Sequence, residues 1–213
     1  MAKGKAARRT RPRRALPKDV YPESLSRFPL LTRDLLDQAG RQHYDIVAGP
    51  ESRTLVGLRG PSGIWLHSPK LAGFVRAATQ YLRFESVLDR RLTELAILVT
   101  ARELDSQFEW TAHEPAALKE GLEPKIIDVV KRRRPLAGLG KKEALIIGFG
   151  RELFRTRKLH SRTFARAVEL FGRRGVLELA ALMGNYAGTA LILAAVDQQL
   201  HPEQTPLLPS LSR

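Results

Sequence analysis

Between residues 88 and 101 the apolar positions fall at helical spacing. Leu88, Leu92, Leu95 and Val99 share one face, and Ile97, Leu98 and Ala101 fill the neighbouring one. A helix apolar around most of its circumference belongs inside a protein. Leu104-Asp105-Ser106 breaks it and starts a second helix that runs to about Glu120 and stops at Gly121. Upstream, residues 30–38 predict a short helix. Residues 44–66 carry Gly49-Pro50, Gly57, Gly60-Pro61 and Gly63, which predict a long loop plugged by Ile64, Trp65 and Leu66. Ser68-Pro69 predicts a capped start with proline at the first helical position, continuing through Leu71, Phe74, Val75, Ala78 and Leu82. Downstream come a segment at 124–131, a basic loop through Arg134-Pro135 and a helix over 141–155. Ser161 predicts the cap of a further helix, broken by Gly172 and Gly175, and a last apolar helix covers 176–200. No segment alternates like a strand, so the fold class is all-α.

Glu94-Leu95-Ala96-x-Leu98 recurs as Glu178-Leu179-Ala180-x-Leu182, and each copy follows a helix carrying Phe-x-Arg-Ala. The pattern predicts two helical hairpins related by a pseudo-twofold. Extended without gaps, the second copy places Ala190, Leu193 and Asp197 where the first has Ser106, Glu109 and His113. The first copy then carries chemistry and the second only packing.

Charge divides the chain further. The formal net charge is +14, and residues 1–18 hold eight Lys or Arg and no acid. Residues 1–20 therefore read as a disordered basic tail. Residues 21–200 read as one helical domain, and 201–213 as an extended Pro-rich tail. The tail suits either weak contact with nucleic acid or an anionic surface, or plain solvation. No apolar run is expected to span a membrane, and no secretory segment is evident. The chain has no cysteine, which excludes disulfides, zinc–thiolate sites and any thiol nucleophile, and fits a cytoplasmic setting.

The chemistry concentrates in residues 94–113. Glu94 lies on the inner helix, where lost hydration raises a carboxyl toward use as a general acid unless a strong partner holds it. The competing reading pairs it with Arg90 or Arg91. Ser106, Glu109 and His113, spaced three and four apart, share one helix face. Histidine exchanges protons near neutrality, and Glu109 can orient it or serve as base. Ser106-Gln-Phe-Glu109 also matches a capping box, which accounts for Ser106 and Glu109 without catalysis. A first-turn carboxylate is stabilised by the helix dipole, so the expected division is Glu94 protonated and Glu109 ionised. Trp110 offers an apolar wall and Tyr186 a pocket lining. Arg102 or Arg91 could hold a substrate carboxylate, with a structural ion pair as the alternative. No metal site is expected, because the other histidines lack matching short spacing.

Glu94-x11-Ser106-x2-Glu109-x3-His113 resembles the Glu-x11-Cys-x2-Cys-x3-His pattern of alkylhydroperoxidase D, within the carboxymuconolactone decarboxylase superfamily. Arg91-Leu92-x-Glu94-Leu95-Ala96-Ile97-Leu98 and Phe108-Glu109-Trp110-x-x-His113 are similar to its decarboxylase-like branch, as are Leu66-His67-Ser68-Pro69 and Leu170-Phe171-Gly172. The resemblance covers about residues 25–200. It implies an AhpD-like helical bundle assembled as a trimer or hexamer. It also implies a cofactor-free lyase acting on a small carboxylated or lactone-type molecule, with Glu94, Glu109 and His113 handling protons and Ser106, Trp110, Arg102 and Tyr186 near substrate. Serine and glutamate in place of the two cysteines remove thiol peroxidase chemistry. A second reading is a non-catalytic oligomeric helical protein whose basic arm binds nucleic acid or an anionic surface.

Overall fold

The computed structural model describes residues 15–211, and among these it is all-helical apart from one isolated bridge between Tyr21 and Ser26. The helices are α1 (Gln38–Ala48), α2 (Pro61–Trp65), α3 (Pro69–Phe84), α4 (Arg90–Glu103), α5 (Gln107–Lys119), α6 (Pro124–Lys131), α7 (Lys141–Thr156) and α8 (Ser161–Ala195). A 3-10 turn, Arg33–Leu35, precedes α1.

α4 is the axis of the bundle. The Asp89 carboxylate accepts from the Leu92 backbone N–H and sets its start, a cap that contributes about 1 kcal/mol. No glycine or proline interrupts it, and every residue from Leu92 to Arg102 is buried. α5, α6, α7 and α8 pack around it. Leu95, Ile97 and Leu98 are fully enclosed, and each contributes about 1.5–3 kcal/mol of burial. Gly150 lets α7 approach: a Cβ there would lie 2.4 Å from Val99 Cγ1.

The N-terminal region departs from the sequence pattern. Residues 44–48, read as loop, form the end of α1, and the helix expected over 30–38 reduces to the 3-10 turn. Asp37 initiates α1 by accepting from Gly40 N–H, and the inward positions are Gly40, His43 and Val47, too few apolar side chains to signal a helix. The folded part also begins earlier than residue 21. Pro17 to Val20 close a turn, Val20 is buried, and Asp19 pairs with Arg27. The basic stretch over 1–14 lies outside the described residues.

α8 is one run broken only at Gly172, whose φ of 68° and ψ of 174° suit glycine alone. Gly175 stays helical, His160 rather than Ser161 occupies the N-cap position without a side-chain capping bond, and the helix ends at Ala195. α8 is long and apolar enough to cross a membrane by length and composition, a test that a core helix also passes. Its 18-residue apolar window is 44% buried inside the protein, against α3, α4 and α7. The two repeat copies fall on α4 and α8, which pack together. Each buried glutamate takes an arginine four residues earlier, Arg90 for Glu94 and Arg174 for Glu178.

The segment after His201 is extended and docked. Leu208 is buried in the main core, and the Pro209 carbonyl accepts from Arg102 Nη1 at 2.8 Å. The Gln107 amide, oriented to accept from Leu208 N–H and donate to its carbonyl, holds the strap to α5.

Candidate functional site

α1, α3, α5 and α8 enclose a cavity of about 150 Å³ with the 51–56 segment over it. α5 brings Glu109 and His113 to its wall, α8 brings Tyr186, Asn185 and Thr189, α3 brings Arg76, Thr79, Gln80 and Arg83, and α1 brings His43. Val47, Trp65, Ala72, Val75 and Phe108 make apolar surface.

Glu94 lies behind the wall, fully buried. Its Oε2 faces His113 Nδ1 at 2.7 Å. Its Oε1 accepts from Arg83 Nη2 at 3.3 Å and Arg90 Nη2 at 3.1 Å. Burial by itself would push this carboxyl up. The contact with His113, then the Arg83 and Arg90 charges, overturn that and bring it down to about 2. Glu94 is therefore ionised, and a carboxylate can only accept, so the proton on His113 sits on Nδ1. Nε2 is then the nitrogen free to work at the cavity. Tyr186 meets the imidazole edge-on, centroids 5.1 Å apart, and burial holds its phenol above the usual range.

Glu109 is the reverse case. It is 3% exposed and neither carboxyl oxygen has a hydrogen-bond partner among the described residues. Burial pushes it up to about 8; the Ser106 hydroxyl lies near enough to offset this in part but outside hydrogen-bonding geometry. At neutral pH it is an uncharged acid with a proton to give. Arg83 Nε is the other partnerless buried polar atom on the cavity lining among the described residues. Buried polar atoms are rarely left unpaired, so this pair marks where a ligand would bond.

The expected division of labour is thus inverted: Glu94 is the ion and Glu109 the acid. The dipole at the start of α5 does not outweigh burial at Glu109, while two arginines converge on Glu94. The capping box is absent as well. Ser106 is the N-cap residue, but its side chain makes no capping hydrogen bond, and its backbone N–H goes to Ala101.

Of the proposed substrate contacts, Tyr186 lines the cavity and Ser106, Trp110 and Arg102 do not. Trp110 is fully buried on the other side of α5, its indole N–H bonded to Glu114. Arg102 is buried in the strap contact, bonded to Asp105 and to the Lys131 and Pro209 carbonyls. Arg91 pairs with Glu123 and Glu143. Sequence reasoning missed Arg76, Arg83 and His43. A faint signal existed for the arginines: at positions 76 and 83 they interrupt the helix that leads to the Glu94 copy.

Residues 69–147 match the model of the carboxymuconolactone decarboxylase family. That span contains Arg76, Arg83, Glu94, Glu109 and His113. Among solved structures the chain is similar to an alkylhydroperoxidase AhpD core, an uncharacterized peroxidase-related protein from Ralstonia eutropha JMP134. The TM-score is 0.68 at 15% identity, covering 84% of this chain and 94% of that one. No curated protein matches the chain significantly.

Proposed function

We propose that the chain, whose residues 69–147 match the carboxymuconolactone decarboxylase family, is an acid–base enzyme acting on a small carboxylated or lactone-type substrate. With no cysteine in the chain, a thiol peroxidase cycle has no nucleophile. One observation carries the reading: an uncharged, partnerless Glu109 shares a cavity with a histidine whose Nδ1–H is fixed by ionised Glu94. Two groups pushed apart in acidity within one site are the usual mark of an acid and a base.

In the decarboxylation form of the reaction, the scissile C–C bond breaks and carbon dioxide leaves. The electron pair stays on the former α-carbon as an enolate, and the Glu109 proton passes to that carbon. Glu109 is left as a carboxylate and recovers a proton from water. In the isomerisation form, His113 Nε2 removes one proton and Glu109 delivers another, so no net charge is created. Val47, Val75 and Phe108 give the cavity an apolar stretch of wall against which a carbanion would be less hydrated.

The test is turnover of a panel of β-keto acids and unsaturated lactones. Glu109→Gln and His113→Ala should each lower the rate by about 10²–10⁴-fold on any substrate the wild type accepts. Unchanged turnover in both variants removes the assignment. The reading also includes assembly into the trimer or hexamer that the resemblance implies. Exposed Phe74, Leu177 and Leu191 offer it apolar surface, and light scattering of the purified chain checks it.

A further inference from the structure

Arg76 is anomalous. Among the described residues, every other arginine shielded from solvent has a carboxylate or a backbone carbonyl beside it. Arg83 and Arg90 have Glu94, Arg91 has Glu123 and Glu143, and Arg151 has the Val129 and Arg134 carbonyls. Arg76 sits on the cavity wall, half-buried, with no hydrogen bond or ion pair among the described residues. A guanidinium cannot shed its proton to escape that environment. Nor do its neighbours on the wall neutralise it. Glu109 is uncharged, and His43 is pushed down by burial and then by the Arg76 charge itself. Glu51 lies at the rim and forms no ion pair with it.

Arg53, the other lining arginine without an ion pair among the described residues, is exposed and stacks over the Phe84 ring, so the shielded, uncompensated charge that the cavity presents to an anion is at Arg76. The cavity volume of about 150 Å³ matches a cavity that takes up a benzene-sized molecule. Arg83, at the Glu94 end, follows Arg76 by seven residues on α3, two turns or about 10 Å. Two helical turns thus separate the charge from the end of the cavity where Arg83 bonds Glu94. A carboxylate clamped by a guanidinium is stabilised in the ground state, and its loss as carbon dioxide would forfeit that stabilisation in the transition state.

From these observations we infer that Arg76 seats a carboxylate that the substrate keeps through the reaction, on a molecule about one ring in size whose reacting carbon lies at Glu109 and His113. The inference rests on the acid–base reading of the same cavity. Arg76 is a specificity determinant, and the group that reacts is at the opposite end of the substrate.

Benzoate binding to the purified chain tests this without turnover, by calorimetry and by NMR titration of His43. The wild type should bind benzoate in preference to benzamide and inorganic phosphate. Arg76→Gln should weaken binding by about tenfold or more, the loss of a charge-assisted contact, and Arg76→Lys should restore part of it. The His43 pKa should rise in Arg76→Gln and also when benzoate binds the wild type. Glu109→Gln should lose turnover and keep benzoate, which separates a failure of the acid–base reading from a failure of this one. No benzoate binding by the wild type overturns the inference, as does equal binding by Arg76→Gln, or benzamide or phosphate binding as well as benzoate.

Discussion

Replacing Glu109 by glutamine removes one titration and little volume, so it isolates the energetic cost of the buried acid. The folded-state pKa is about 8 against an ordinary value of 4.5. Below 4.5 both folded and unfolded chains carry the proton, and the side chain costs nothing through ionisation. As pH rises from 4.5, the unfolded chain releases its proton and the folded chain keeps it, so the wild type loses stability. The loss is complete once pH passes about 8, where both states are ionised. A gap from 4.5 to about 8 corresponds to about 5 kcal/mol. Urea denaturation of wild type and Glu109→Gln from pH 5 to pH 9 measures it. The stability difference between them should swing in favour of the variant by most of that amount and level off above pH 8. Parallel curves would mean that Glu109 titrates as an ordinary carboxyl, and the acid assigned to this site would not exist.

Glu94 carries the opposite sign. Its carboxylate stabilises the fold fully above 4.5, and about 3 kcal/mol is lost as pH falls toward 2. Glu94→Gln should flatten that acid limb in the same denaturation series. It should also destabilise by about 3–5 kcal/mol at neutral pH, because Arg83 and Arg90 are left without their anion. Gly150→Ala should cost about 1–3 kcal/mol from the clash with Val99, read as a lower urea midpoint. Truncation after residue 206 should expose the seat of Leu208 and leave Arg102 without the Pro209 carbonyl. A loss of about 1–3 kcal/mol is expected there, with unchanged turnover, since neither residue touches the cavity.

The helical bundle was legible because α4 and α7 bury faces of Leu, Ile, Val and Ala at helical spacing, whereas α5, which buries Phe108, Trp110 and polar groups, was read from its start at Ser106 and its stop at Gly121. α1 was not, since glycine and histidine fill its inward positions and leave no apolar period to read. The spacing of Glu94, Glu109 and His113 named three of the groups that the fold brings together. Their charge states were hidden because they depend on partners from elsewhere. Arg83 reaches Glu94 from α3, whereas the partner anticipated within the helix, Arg90, supplies only part of the charge. Trp110 and Arg102 were misplaced for a related reason. Proximity in sequence to a site residue does not say which side of a helix looks into a cavity, and on α5 and α4 these two look away. Arg76 carried no motif; its interest comes only from the missing partner.

The account turns on which of two buried glutamates holds a proton. Carboxyl ¹³C NMR of glutamate-labelled protein, assigned with Glu109→Gln and Glu94→Gln, reads both at once. The structure predicts one side chain titrating near 8 that vanishes in Glu109→Gln, and a second still ionised well below 4.5 that vanishes in Glu94→Gln. A high-pKa signal that survives in Glu109→Gln and disappears in Glu94→Gln would contradict the account and restore the assignment the sequence alone suggested.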